Sequence, residues 1–145
     1  MLFELVSTLS AGLFAGAAIY INLVEHPARV ECGIEVAVRE FAPSYRRAAV
    51  LQGALAAIGF LSAIAAWFLG ASFWWLGGGS VLGLVIPFTL VVIFPTNKKL
   101  LDPSLQTRPE LASVLLARWT RLHAVRSTLG LIAFLIFIVL LGRGA

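Results

Sequence analysis

Four uninterrupted apolar runs leave this chain few ways to fold. They cover roughly residues 2–24, 48–69, 73–94 and 124–141. Each is close to the ~20 residues that a helix needs to cross the hydrocarbon core of a bilayer. In lipid every backbone N–H and C=O must be satisfied within the protein, so a spanning segment is either a helix or a strand of a closed barrel. A tilted barrel strand needs only about 10 residues, and these runs are too long for one. The expectation is an all-α integral membrane protein with four spans. Charge content agrees: 12% of the residues are charged, against about 25% in a soluble domain. The first run carries Glu4 where a secretory leader would be positive, and it stays apolar past Gly16 to Val24. It reads as a retained span. The 145 residues suit one domain.

The connections are unequal. Only residues 70–72 separate the second and third runs, which implies a tight hairpin, whereas residues 26–47 and 95–123 form longer polar connections. Both are expected to hold short amphipathic helices. Pro43 suits the first turn of a helix leading into the second span. Pro109 starts another, over residues 110–121, with Leu111, Val114, Leu115 and Trp119 near one face. The resulting architecture is an antiparallel four-helix bundle. Small residues four apart (Gly12 and Gly16; Ala49, Gly53 and Ala57; Gly79 and Gly83) mark places where helix backbones can approach closely. Pro87 removes a backbone bond to Gly83 and should kink the third span.

Basic residues set the expected direction. Arg29, Arg39, Arg46 and Arg47 lie on the first long connection; Lys98, Lys99, Arg108, Arg118, Arg121 and Arg126 lie on the second or just inside the fourth span. Only Arg143 lies at the other end. The positive-inside rule then puts both termini outside and both long connections in the cytoplasm. Basic residues beside anionic lipid account for the net charge of +4, so no nucleic-acid partner is called for. The single cysteine, Cys32, excludes an intrachain disulfide and a multi-cysteine metal site.

This topology gathers the polar residues at one end of the bundle. The first span ends with Asn22, Glu25 and His26. The second begins with Tyr45 and Arg46, with Gln52 further in. The third ends in Pro95, Thr96 and Asn97, and the fourth begins with Trp119, His123 and Arg126. Asn22 and His26 are four apart, Tyr45 and Gln52 seven apart, and Trp119, His123 and Arg126 fall at i, i+4 and i+7, so each set shares a helix face. Ionisable groups at membrane depth are costly, and they tend to face a cavity and a partner. Arg46, Arg47 and Arg121 read more simply as interfacial anchors. Trp119 also suits an aromatic belt, and Asn97 also suits a helix cap.

The stretches AGLFAGAAIYINLVEHPAR, PSYRRAAVLQG, IFPTNKKL and RWTRLHAVR resemble the DUF1772 family of small four-span membrane proteins, which includes anthrone oxygenase-like members. The resemblance covers nearly the whole chain. It implies a membrane oxidoreductase acting with dioxygen on a lipophilic aromatic or phenolic substrate, with no established organic cofactor. The matching motif positions are His26, Asn97, Trp119, His123 and Arg126. In that chemistry a neutral imidazole, His26 or His123, takes a proton from an acidic carbon or phenol, and Asn97 and Arg126 hold the developing oxyanion. Asn22, Tyr45, Gln52 and Trp119 are the expected substrate contacts.

Two other readings stay open. His26, His123 and Glu25 would form a two-histidine, one-carboxylate set suited to a transition metal, although no HxxxH or ExxH spacing supports it. A non-enzymatic protein that binds or carries a small molecule, or serves as an accessory subunit, is the alternative to an oxygenase. The expected partners are the lipid bilayer and a lipophilic small molecule. A homo-oligomer is compatible with the sequence.

Overall fold

The structure, a computed structural model, describes residues 1–144. Helix α1 spans Leu2–Tyr20, α2 His26–Glu31, α3 Ile34–Phe68, α4 Trp74–Gly83, α5 Val85–Phe88, α6 Phe94–Leu100 and α7 Pro109–Arg143. One π-helical turn, Ile21–Glu25, joins α1 to α2, and another, Thr89–Ile93, joins α5 to α6; a 3₁₀ turn covers Pro103–Thr107. Four continuous segments are long and apolar enough to cross a membrane: Leu2–Glu31, Ile34–Phe68, Trp74–Leu100 and Pro109–Arg143. The protein is an integral membrane helical bundle. α1 and α4 each pack along both α3 and α7 and lie diagonally across the bundle from one another.

The spans run further than the apolar runs alone imply. α3 and α7 have 35 residues each, about 52 Å at 1.5 Å per residue. That exceeds a hydrocarbon core of ~30 Å. Much of each long connection is therefore a helical extension of a span. α7 begins at Pro109 and enters the fourth span without a break. Pro43 does not start a helix: it lies inside α3, which begins at Ile34 after a turn at Gly33 with φ of 104°. A positive φ is the conformation that only glycine adopts without strain, and it reverses the chain between α2 and α3.

Prolines shape the first and third spans. In a straight helix the rings of Pro27 and Pro95 would press on the carbonyls of Leu23 and Val91, and neither proline has an N–H to give them. In each case the turn just before the proline is widened. His26 N–H bonds to Ile21 O, and Phe94 N–H bonds to Thr89 O, both five residues back. The two π-helical turns sit at the same end of the bundle. Such turns often accompany functional sites. The third span also breaks at Leu84, between α4 and α5, ahead of Pro87.

The two ends of the bundle are packed differently. At the apolar end Phe14, Ala63, Trp75, Leu82, Ala133 and Phe137 form a continuous core, with the rings of Trp75 and Phe137 stacked at 5.2 Å. A Cβ on Gly79 would stand 2.7 Å from Ala63 Cβ, and one on Gly12 2.7 Å from Phe134. Those glycines are helix contact points, as their spacing predicts. Gly16 and Gly53 are not, since a Cβ on either would meet nothing within 4 Å. Hydroxyl groups inside the spans bond to the carbonyl one turn back, for example Ser7 to Phe3 O and Thr89 to Val85 O, which satisfies them without a partner helix. Large apolar side chains such as Leu9, Leu61, Phe68 and Val91 point outward, where the bilayer is the solvent.

Candidate functional site

At the other end the core is interrupted. A cavity of about 190 Å³ lies between α3, the Val85–Asn97 stretch and α7. Its walls are mostly aliphatic, and its polar lining comes chiefly from Tyr45, Asn97, His123 and Arg126. Trp119 and Arg29 also line it. Ala49, Gly53, Ile86 and Leu90 form the side between the second and third spans. Leu90 there is 62% exposed, so this side is the mouth, and it faces lipid.

α7 presents Trp119, His123 and Arg126 along one face, and all three are buried. Trp119 is held on every side. Its indole N–H donates to Asn97 Oδ1 at 2.9 Å; Phe41 meets it edge-on at 5.5 Å; His123 stacks on it at 4.5 Å; and His26 lies at 5.0 Å. An indole N–H only donates, so the Asn97 atom facing it is the oxygen. The Asn97 amide NH₂ then has no partner among the described residues. Asn97 is thereby fixed as a hydrogen-bond donor at the cavity wall.

Arg126 is the most unusual group. It is 8% exposed, and none of the described carboxylates pairs with it. Its guanidinium lies over the Phe14 ring, 5.0 Å from the centroid, and Nε has no hydrogen-bond partner among the described residues. A buried charge without a counter-ion is costly. A cation–π contact returns only part of that, about 0.5–2 kcal/mol. The arrangement favours an electron-rich ligand oxygen in the cavity. Arg29 is equally buried but has counter-ions: it pairs with Glu25, lies 2.8 Å from Glu40 Oε2 and reaches Ser44 Oγ at 3.3 Å, although its Nε, like that of Arg126, makes no hydrogen bond among the described residues.

Of the remaining residues expected at the site, His26, Asn22 and Gln52 fall elsewhere and Tyr45 does not. His26 does not line the cavity; its ring and that of His123 both pack on Trp119. Asn22 does not line it either, and is turned onto α7, where its amide meets Thr120, His123 and Ser127. Tyr45 lines the cavity and stacks on Phe41 at 5.7 Å. Gln52 is buried, and neither amide atom is hydrogen-bonded among the described residues. It lies on the other side of α3, along a shallow groove toward α1. A metal held by His26, His123 and Glu25 does not fit this geometry. Both imidazoles pack on the Trp119 ring, Glu25 is committed to Arg29 and Ser44, and no three His, Cys, Asp or Glu come together among the described residues.

Sequence reasoning passed over Phe41 and Ser127, and it allowed Glu25 an arginine partner nearby without singling out Arg29. The four-residue step from Glu25 to Arg29 was a signal for a pair on one helix, and so was the step from His123 to Ser127. Burial was not readable, because both residues sit among others that face water or lipid.

Fold and site together define a class: small membrane helical bundles with a mostly apolar, lipid-accessible cavity and a few convergent hydrogen-bonding groups. The sequence model described as anthrone oxygenase matches residues 41–136. The chain belongs to that family, the DUF1772 family. The match takes in Tyr45, Asn97, Trp119, His123 and Arg126, while Asn22 and His26 precede it. Comparison with curated proteins and with solved structures gives no match.

Proposed function

We propose that the protein is a membrane oxygenase for a lipophilic carbon acid of the hydroxylated anthrone type. The observation that carries this reading is the set of groups on one cavity: the His123 ring beside the unpaired donors of Arg126 and Asn97. His123 takes a proton from the acidic ring carbon. Arg126 and Asn97 hold the oxygen on which the negative charge collects. The resulting carbanion is electron-rich and transfers electrons to dioxygen, giving a hydroperoxide at that carbon. Loss of water leaves a carbonyl, so CH₂ plus O₂ gives C=O plus H₂O. Trp119 and Tyr45 offer flat faces to the rings.

The cavity's size supports a ring-shaped ligand. At about 190 Å³ it exceeds the roughly 150 Å³ known to admit one benzene ring. Further rings would extend through the mouth beside Gly53 and Leu90, where a substrate dissolved in the bilayer arrives. The basic residues around this end favour the inner leaflet, with both termini outside. Cys32 is exposed, so a membrane-impermeant maleimide should leave it unlabelled in intact cells and label it after permeabilisation.

The test of activity is dioxygen uptake and quinone absorbance with a hydroxyanthrone and the purified protein. His123→Ala is expected to abolish turnover in a protein that still folds. Full turnover in that variant would remove the base assignment. Saturable binding of the anthrone with no oxygen uptake in the unaltered protein would favour a carrier or accessory role.

A further inference from the structure

We infer that Asn22 is a positioning residue that holds His123 in the tautomer protonated at Nδ1, leaving the Nε2 lone pair free; the catalytic use of that lone pair rests on the reading of His123 as the base. The argument begins with the orientation of the Asn22 amide. Its two ends are told apart by their neighbours. One lies 3.2 Å from the backbone oxygen of Thr120, which can only accept, so that end is the NH₂. The other lies 2.6 Å from His123 Nδ1 and 2.6 Å from Ser127 Oγ, and is the oxygen. Rotating the amide by half a turn would set two oxygens against each other at Thr120.

An amide oxygen has no proton to give. The short contact to His123 therefore requires the proton on Nδ1. The Ser127 hydroxyl lies 2.6 Å from the same oxygen and 3.0 Å from the backbone oxygen of His123 and has one proton for the two, so the Thr120 contact is what orients the amide. In a neutral imidazole with Nδ1–H, the lone pair is on Nε2. Among the described residues Nε2 makes no hydrogen bond, and His123 lines the cavity. Asn22 does not touch the cavity itself, so it acts on the reaction through the imidazole.

The backbone explains how a residue of α1's continuation reaches this far. Asn22 lies in the π-helical turn Ile21–Glu25. That turn is widened ahead of Pro27, and it turns the Asn22 amide onto α7. The widened turn ahead of Pro27 is thus the local distortion on which Asn22 sits.

The experiment is nitrogen NMR on the full chain in nanodiscs, with histidine rings labelled. The chain has two histidines, and His26→Gln assigns the His123 signals. Unaltered protein should show a protonated Nδ1 and a bare Nε2 at His123. Asn22→Asp keeps an acceptor at the same place and should keep that pattern. Asn22→Leu should lose it and lower kcat by about 10- to 100-fold, with KM unchanged. Ser127→Ala, which leaves the Asn22–His123 bond in place, should retain the pattern. A proton on Nε2 in the unaltered protein, or the same spectrum in Asn22→Leu, would overturn the inference. The spectra decide this whether or not the protein turns over an anthrone, so failure of the tautomer assignment and failure of the oxygenase reading are separate results. If Asn22→Leu does not fold, the unaltered and Asn22→Asp spectra still decide.

Discussion

The two ends of this bundle are built from the same four spans by opposite means. At the apolar end small residues let backbones touch, as where Gly79 meets Ala63, and large rings fill what is left. At the polar end two widened turns, a helix break and a set of buried hydrogen-bonding groups keep the spans apart around a cavity. In lipid there is little hydrophobic drive to bring helices together, so close packing must supply cohesion. The contrast lies in how the space is filled: the apolar end is packed through, whereas the polar end has a second core, with Phe41, Ile93, Leu100 and Leu116, beside a cavity. The polar end holds a cost, the unpaired Arg126, that the apolar end is able to offset.

Arg126→Met is the sharpest way to break this division. Turnover should fall by about 10²–10³, the usual loss when a donor to a developing oxyanion is removed. Thermal stability in detergent should rise, since a buried unpaired charge is replaced by an apolar side chain of similar length. A fall in both would mean that Arg126 is part of the scaffold. The opposite pattern belongs to the apolar end. Gly79→Leu should destabilise by at least about 1–3 kcal/mol through overpacking, while turnover per folded molecule stays the same; denaturant titration alongside an activity assay separates the two quantities.

Gly53→Leu tests the boundary between the halves. A side chain there meets open space, so stability should change by less than about 0.5 kcal/mol. It should narrow the mouth and raise KM for multi-ring substrates more than for single-ring ones. Equal KM values for both would put the entrance elsewhere. The smallest effect is expected outside the spans. Asp102 accepts a 2.9 Å hydrogen bond from the Ser104 backbone N–H, and this bond, with the Ser104 side chain, holds its carboxyl below the usual carboxylate value. A lowered value means that the stabilisation is present above the ordinary carboxylate range and is lost as pH falls through the folded value. Asp102→Asn should flatten that slight acid dependence in melting curves and leave turnover alone.

Much of the fold is legible in the residues. Span length, the hairpin at 70–72 and the i, i+4, i+7 stripe of Trp119, His123 and Arg126 follow from helix periodicity and bilayer thickness. Both need only local spacing. The site was legible in part. Asn97 and Tyr45 could be placed at the right end but not given partners. Asn22, His26 and Gln52 could not be separated from the cavity lining by spacing alone. A widened turn shifts the register by a residue, and neither the prolines nor the polar residues announce how far.

By itself the sequence determined that four helices cross a membrane and that their polar tips share one end, because apolar runs of this length satisfy their backbone in lipid only as helices and periodicity assigns faces. Only the tertiary structure decided that both histidines pack on Trp119, that Arg29 is neutralised while Arg126 is not, and that Asn22 meets His123. Those outcomes depend on distances between helices of ångström precision. A hydrogen bond exists at 2.9 Å and is gone a little beyond 3.5 Å, and no spacing along one chain specifies a separation between two of its helices.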